Sequence, residues 1–414
     1  MSKRQNRNQR QQSQRKSSAT SFGVNNNTVN QHVFSPVVGR RESSNGINWS
    51  WGDANTLPYA LAVMSQKSIA HRRLINDKSD YISGKGFSCE ENIQKLTDFI
   101  NNANGDRQEL RSVFNRIAFD KVLFGNAFLE VVTDASHSFL SLYHQDASRC
   151  RISCDNQVVI LHHNWTAYSK TDSKEVGLYP NFTDHEDGTK RSIIHYKDYE
   201  PMFTHYGLPS YIAGLKVAAI AFKTDTWNVS RLDNSYQLSG IMQLDVNTDT
   251  DEEVQQIKRE AEKKFSGKPG QVLFMLKSSS DGSDGSKFIP ISSDNEGDWS
   301  VLHDQAIADI VVAHSWFKTL SGLDYSTGFS SDRILLEYEV ALNTIIIPEQ
   351  QELLEPIRIV LNQILGVDAT SLQIINKPPI TVKPDYMRVW EARKLDGLDY
   401  DEQDEAQKIF LSQL

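Results

Sequence analysis

Apolar positions from Leu57 to Asn76 recur at helical spacing, and the run DYISGKGF (Asp80–Phe87) predicts a strand broken at Gly84 and Gly86. Residues 91–103 and 106–124 predict two more helices. The second lines up Leu110, Val113, Phe114, Ile117, Val122 and Leu123, then stops at Gly125, where a positive φ suits a glycine. The short runs AFLEVV, FLSLYH, RCRIS and VVILHH predict a small antiparallel sheet, and residues 168–190 a polar hairpin tip.

A longer period follows. HYGLPSY (His205–Tyr211) opens a helix in which Ile212, Leu215, Ala219, Phe222, Thr226 and Val229 share one face. At a length of about 24 residues it spans about 36 Å. Then comes an α/β insertion: strand SGIMQLDV, helix DEEVQQIKREAEKKF, strand QVLFML, a Ser/Gly/Asp loop and strand KFIPI. A second long helix from about Trp299 to Leu320 carries Leu302, Ala306, Ile310, Ala313, Phe317 and Leu320 on one face, which predicts near-antiparallel partners. The loop SGLDYSTGFSSD (Ser321–Asp332) is longer than connection requires and leads into the apolar helix RILLEYEVALNTIII. Another helix over 349–365 contains Pro356 and closes at Gly366.

Composition adds bounds. The 414 residues are 39% apolar and 23% charged, ordinary for a folded chain. No window reaches the roughly 18 apolar residues of a membrane span. Residues 1 to about 50 are rich in Gln, Asn, Ser and Arg, without periodicity, which predicts a disordered arm. Residues 1–41 hold eight Lys/Arg and no acid; taking these eight from the net charge of −9 leaves −17 on the rest. So acidic a body does not grip nucleic acid by neutralising phosphates, though it can surround it. Cys89, Cys150 and Cys154 fit neither a disulfide framework nor a zinc site, and with no secretory signal the simplest origin is a reducing cytoplasm.

Catalytic signals are missing. There is no P-loop, H-E-x-x-H, paired C-x-x-C, G-x-S-x-G or kinase motif. His162, His163, His185 and His195, with Glu186 and Asp187, lack ligand spacing. Asp245, Asp249, Asp251, Glu252 and Glu253 read as a solvated helix start, where acids suit the dipole; a metal-dependent nuclease built on them is the enzymatic alternative.

Taken together, DYISGKGF, the helix–GNAF–strand corner FDKVLFGNAFLEVV (Phe119–Val132), HYGLPSY, and the order helix–insertion–helix–loop–helix over 209–347 resemble the portal proteins of tailed bacteriophages, most closely the PBSX-like phage portal family. The resemblance covers roughly residues 55–366. It implies an α+β fold: a disordered basic arm over 1–50, a mixed α/β wing over 51–208, stem helices over 209–236 and 292–320, a small α/β clip over 237–291, a tunnel loop over 321–332, a long helix and its successor over 333–366, and a crown-like or extended tail over 367–414.

The same resemblance implies a non-enzymatic homo-oligomeric ring, twelve subunits in the particle, at one capsid vertex. Double-stranded DNA would pass through it non-specifically, driven by a separate terminase. Further implied partners are the terminase large subunit, a head–tail adaptor and capsid or scaffolding protein, with assembly in the host cytoplasm, no membrane and no cofactor. Lys216, Lys223, Arg231, Lys318, Tyr325, Phe329 and Arg333 are the candidates to face DNA, and Gly322 and Gly328 the loop hinges. The structural alternative is another phage head or neck adaptor.

Overall fold

The computed structural model describes residues 46–90, 93–233, 240–245, 272–277, 287–289, 296–324, 331–380, 387–395, 398–399, 401–404 and 407–410; of 54, 230–233, 240–245, 272–277, 287–289, 296–300 and 395 it describes the backbone. In chain order the first elements are α1 (Leu57–Lys67), α2 (Ile69–Ser83), β1 (Phe87–Ser88), α3 (Gln94–Asn101), α4 (Leu110–Phe124) and β2 (Asn126–Asp134). Strands β3 (Ser141–Gln145), β4 (Cys150–Ile152), β5 (Val158–Leu161), β6 (Lys174–Leu178), β7 (Thr183–Asp184) and β8 (Thr189–Lys197) precede α5 (Leu215–Asp233). Then come β9 (Gly240–Asp245), β10 (Val272–Lys277), β11 (Lys287–Ile289), α6 (Glu296–Ala313), α7 (Ser331–Ala341), α8 (Ile347–Leu365), β12 (Gln373–Ile374) and α9 (Val389–Leu395).

Contacts divide these into two units, the first made of residues 50–72 and 210–315. Here α5 and α6 run antiparallel. Gly214, in the 3-10 turn before α5, abuts Ala313 at the end of α6 so closely that a Cβ would collide with it. Farther along, His303 Nε2 of α6 lies 3.3 Å from Asp225 Oδ1 of α5. The Lys67 ammonium sits 5.1 Å over the Phe222 ring, which places α1 against α5. The insertion forms a three-stranded sheet, β10–β9–β11, with β10 parallel and β11 antiparallel to β9. A parallel neighbour requires a crossover connection; the helix expected there, at 251–265, lies outside the described residues.

Residues 73–209 and 316–410 make the second unit, together with 46–49. Its sheet runs β3–β2–β8–β6–β5–β4 with β7 on β8. It is larger than the small sheet expected and not wholly antiparallel, because β6 pairs with β8 in parallel. Residues 46–49 line the β4 edge: Trp49 N donates to Ile152 O at 2.9 Å and Cys154 N to Ile47 O at 3.1 Å. One face of β2 (Ala127, Leu129, Val131) packs with Phe114 and Ile117 of α4 and Leu353, Ile357 and Leu361 of α8.

Several boundaries differ from the sequence reading, each for a local reason. The helix expected over 57–76 is two, because Ser68 is extended (φ −100, ψ 117). The strand expected at Asp80 is instead the end of α2. Leu74, Ile75 and Ile82 are buried at helical spacing, and the Ser79 and Ser83 hydroxyls bond back to the carbonyls of Asn76 and Asp80. Residues 50–72, expected in the wing, group with the helix pair, since α1 packs there. The helix expected to open near Pro209 starts at Leu215. The second long helix ends at Ala313 rather than Leu320: Ser315 takes φ +50, and His314 and Trp316 turn into the interior. Of the tail, Val367, Ala369 and Leu372 join the second unit's core, and β12 pairs with β1.

Candidate functional site

The corner FDKVLFGNAFLEVV is built around the end of α4. Gly125 takes φ 64 and stops the helix, its N–H bonding to Lys121 O at 2.9 Å. A Cβ on Gly125 would strike the Leu208 carbonyl carbon and the Pro209 nitrogen. The two short motifs read separately in the sequence therefore lie against each other.

Asn126 fastens them. Its Nδ2 donates to Phe124 O at 2.9 Å and Gly207 O at 2.8 Å, and its Oδ1 accepts from Gly207 N at 2.9 Å. With Oδ1 the acceptor, the His195 Nε2 located 3.0 Å away carries the proton. His195 also stacks on Phe128 at 4.5 Å. Burial, then the field of Lys197, lowers His195 to about 3 and keeps it neutral.

Beneath the corner lies a buried charge. Lys121 Nζ meets Asp198 Oδ1 at 2.5 Å, Glu352 Oε1 at 2.9 Å and Glu349 Oε2 at 3.7 Å, its side chain 2% exposed. Burial pulls the ammonium down, but Asp198 and Glu349 outweigh it and hold the net value above lysine's usual range. Burial raises Asp198 to about 6 in spite of Lys121. Lys78, also buried, is lowered by desolvation. Lys121 was missed in the sequence. Its signal was a lysine at i+4 from Ile117, on the apolar stripe of α4.

The DNA-facing candidates fall in different places. Lys216 and Lys223 are exposed, seven residues apart on one face of α5. Arg231 lies on the last turn of that helix, among residues of which only the backbone is described. Lys318, expected on the second long helix, lies in the turn after α6. The Arg333 guanidinium is engaged by Glu337 at 2.9 Å and Asp324 at 3.6 Å, and Thr319 Oγ1 lies 3.2 Å from the same Glu337 oxygen. These contacts hold both ends of the expected tunnel loop. Gly322 has φ +64 and open space where a Cβ would go. Tyr325, Gly328 and Phe329 lie outside the described residues.

Among the described residues no group of three His, Cys, Asp or Glu is placed to hold a metal ion. His162, one of the discounted ligands, serves the backbone: its Nδ1 accepts from Asn164 N at 3.0 Å. Of the discounted acids, Asp249, Asp251, Glu252 and Glu253 lie outside the described residues.

Residues 83–281 match the family model described as phage portal protein. Over these residues, just under half of the chain, the sequence is similar to the phage portal family. That segment starts at the end of α2, takes in the whole corner and sheet, and ends inside the insertion between the two long helices. An uncharacterized protein of Rickettsia felis is 28% identical over 156 residues, 37% of this chain and 38% of that protein's length. The fold is similar to that of a chain from the neck of an empty gene transfer agent particle, computed with C6 symmetry (TM-score 0.57, 15% identity, 83% of this chain and 94% of that one). It is similar too to a chain from the virion of the native gene transfer agent particle (TM-score 0.56, 16% identity, 87% and 97%). At such identities the likeness concerns fold. It extends the portal family segment to an α+β architecture over most of the chain.

Proposed function

We propose that this chain is the portal subunit of a tailed-phage-type particle, a homo-oligomeric ring at one capsid vertex through which double-stranded DNA is packaged and ejected. The observation that carries this reading is the portal family match over the corner and sheet, together with a fold likeness over 83% of the chain. In that reading α5 and α6 are the stem, residues 237–291 the clip, and the chain is a conduit rather than a catalyst. The terminase large subunit and a head–tail adaptor dock on the clip. Capsid or scaffolding protein surrounds the ring, and assembly takes place in the host cytoplasm.

The physical chemistry is consistent. Outside its first 41 residues the chain is strongly acidic, and a wall with few cations lets DNA slide without the affinity that many phosphate contacts bring. Lys216 and Lys223 are the cations best placed to meet phosphates. Val229, Val301 and Val312, exposed on α5 and α6, are apolar positions that a neighbouring subunit would cover. A head-to-tail interface that closes gives a cyclic ring, and the C6 and C12 symmetries applied to gene transfer agent necks make twelve the expected number.

Negative-stain electron microscopy of the purified protein tests this. A ring with a central hole is expected. Particles that stay monomeric at high concentration, and with a scaffolding partner added, overturn it.

A further inference from the structure

The first unit holds a second buried polar cluster, one that a conduit does not need. His71 in the first turn of α2, Tyr211 just ahead of the 3-10 turn, and His314 just past α6 meet where the helix pair begins and ends. His71 Nδ1 and His314 Nε2 are 2.8 Å apart. The Tyr211 ring meets His71 edge-on at 4.6 Å and stacks on His314 at 4.7 Å. All three are at most 1% exposed.

Two imidazoles at this distance share one N–H between them. Two imidazoliums would present N–H to N–H, with no acceptor. The other nitrogen of His71, Nε2, is buried without a hydrogen-bond partner among the described residues. A proton arriving there creates a buried cation with an unsatisfied donor, which the low-dielectric surroundings penalise. Among the described residues, the groups facing His71 are His314 from the end of α6, Tyr211 from the segment ahead of α5, and Arg72 from its own helix. Arg72 is the charged group that acts on it, and its sign is the wrong one for an imidazolium. Burial pushes the Tyr211 phenol up, so it offers no counter-charge.

We propose that His71, His314 and Tyr211 form an acid-sensitive clasp at the root of the helix pair, closed while His71 is neutral and opened by proton uptake. Opening brings His71 into water, where an imidazole binds a proton near pH 6.5. In the closed state burial, with Arg72, holds it down to about 4. The ratio of open to closed root therefore rises roughly 20-fold between pH 7 and pH 5.

Hydrogen exchange on the full-length chain, with rates corrected for the chemical pH dependence of exchange, reads this at the amides of 211–215 and 310–314. In the wild type, protection there falls roughly 20-fold from pH 7 to pH 5. In His71→Gln/His314→Gln, whose amides can still bond each other but do not titrate, protection is the same at both values. Unchanged wild-type protection at pH 5 overturns the proposal, and so does an equal fall in the double variant. Should the double variant not fold, His71→Phe/His314→Phe replaces it, with the same expectation of a flat response.

Discussion

At the corner a buried ammonium faces three carboxylates; at the root of the helix pair two buried imidazoles face each other, with a cation as their charged neighbour. Both sites sit where chain segments distant in sequence converge. The corner joins α4, α8 and the segment after β8, while the root joins α2, α6 and the approach to α5. The corner makes charge tolerable by compensation, and the root by remaining uncharged. The difference teaches which perturbation each feels. Removing a partner unbalances the first, and adding a proton unbalances the second.

The largest expected effect is at the corner. Lys121→Met leaves Asp198, Glu349 and Glu352 crowded with no cation among them. It costs about 3 kcal/mol, moderated because those acids keep some access to water. Urea unfolding followed by a probe of the second unit measures it; a loss under about 1 kcal/mol would show that the two sites do not differ as argued.

At the root the smaller loss is expected from His71→Phe, about 2 kcal/mol, because it strands the facing nitrogen of His314. Replacing both imidazoles by Phe removes the stranded group, so the double substitution costs less than the two singles together. A double-substitution cycle with additive losses would contradict a neutral, mutually bonded pair.

The smallest net effect is that of mild acid on the whole chain, since opposing groups partly cancel. His71 and His195 are held at about 4 and about 3, below imidazole's ordinary 6.5. Their stabilisation is complete above 6.5 and fades as pH falls toward those values. Asp198, raised to about 6, works the other way: the folded chain takes its proton before the unfolded one does, which favours folding between about pH 6 and 4. His195→Gln removes one imidazole from this balance, so its urea midpoint falls less than the wild type's between pH 7 and pH 4.5.

Much of the scaffold was legible in the residues. Gly125 at the end of α4 and Gly366 at the end of α8 both take left-handed conformations that a glycine accepts readily, and local chain chemistry suffices to place them. The three strands read in the insertion between two long helices form a sheet, while the helix read between the first two lies outside the described residues. The end of α2 was misread because Tyr81 and Ile82 favour strands in isolation, whereas burial of Leu74, Ile75 and Ile82 along one helical face decides otherwise. The early end of α6 follows from the interior demanding His314 and Trp316, which no local rule signals.

Among the expected channel residues, periodicity alone put Lys216 and Lys223 on one helix face. It gave no hint that Arg333 would be drawn to Asp324 and Glu337, because ion pairs depend on which acids arrive from elsewhere.

The sequence by itself determined where α4 and α8 stop, that the body carries excess acid, and that two short glycine motifs flank a sheet. Only the tertiary structure decided that those motifs touch, that Lys121 is buried among acids, and that His71 meets His314 across 243 positions of chain. The physical reason is range. Turn chemistry and periodicity act over a few residues, whereas burial and charge compensation are set by partners brought together through folding.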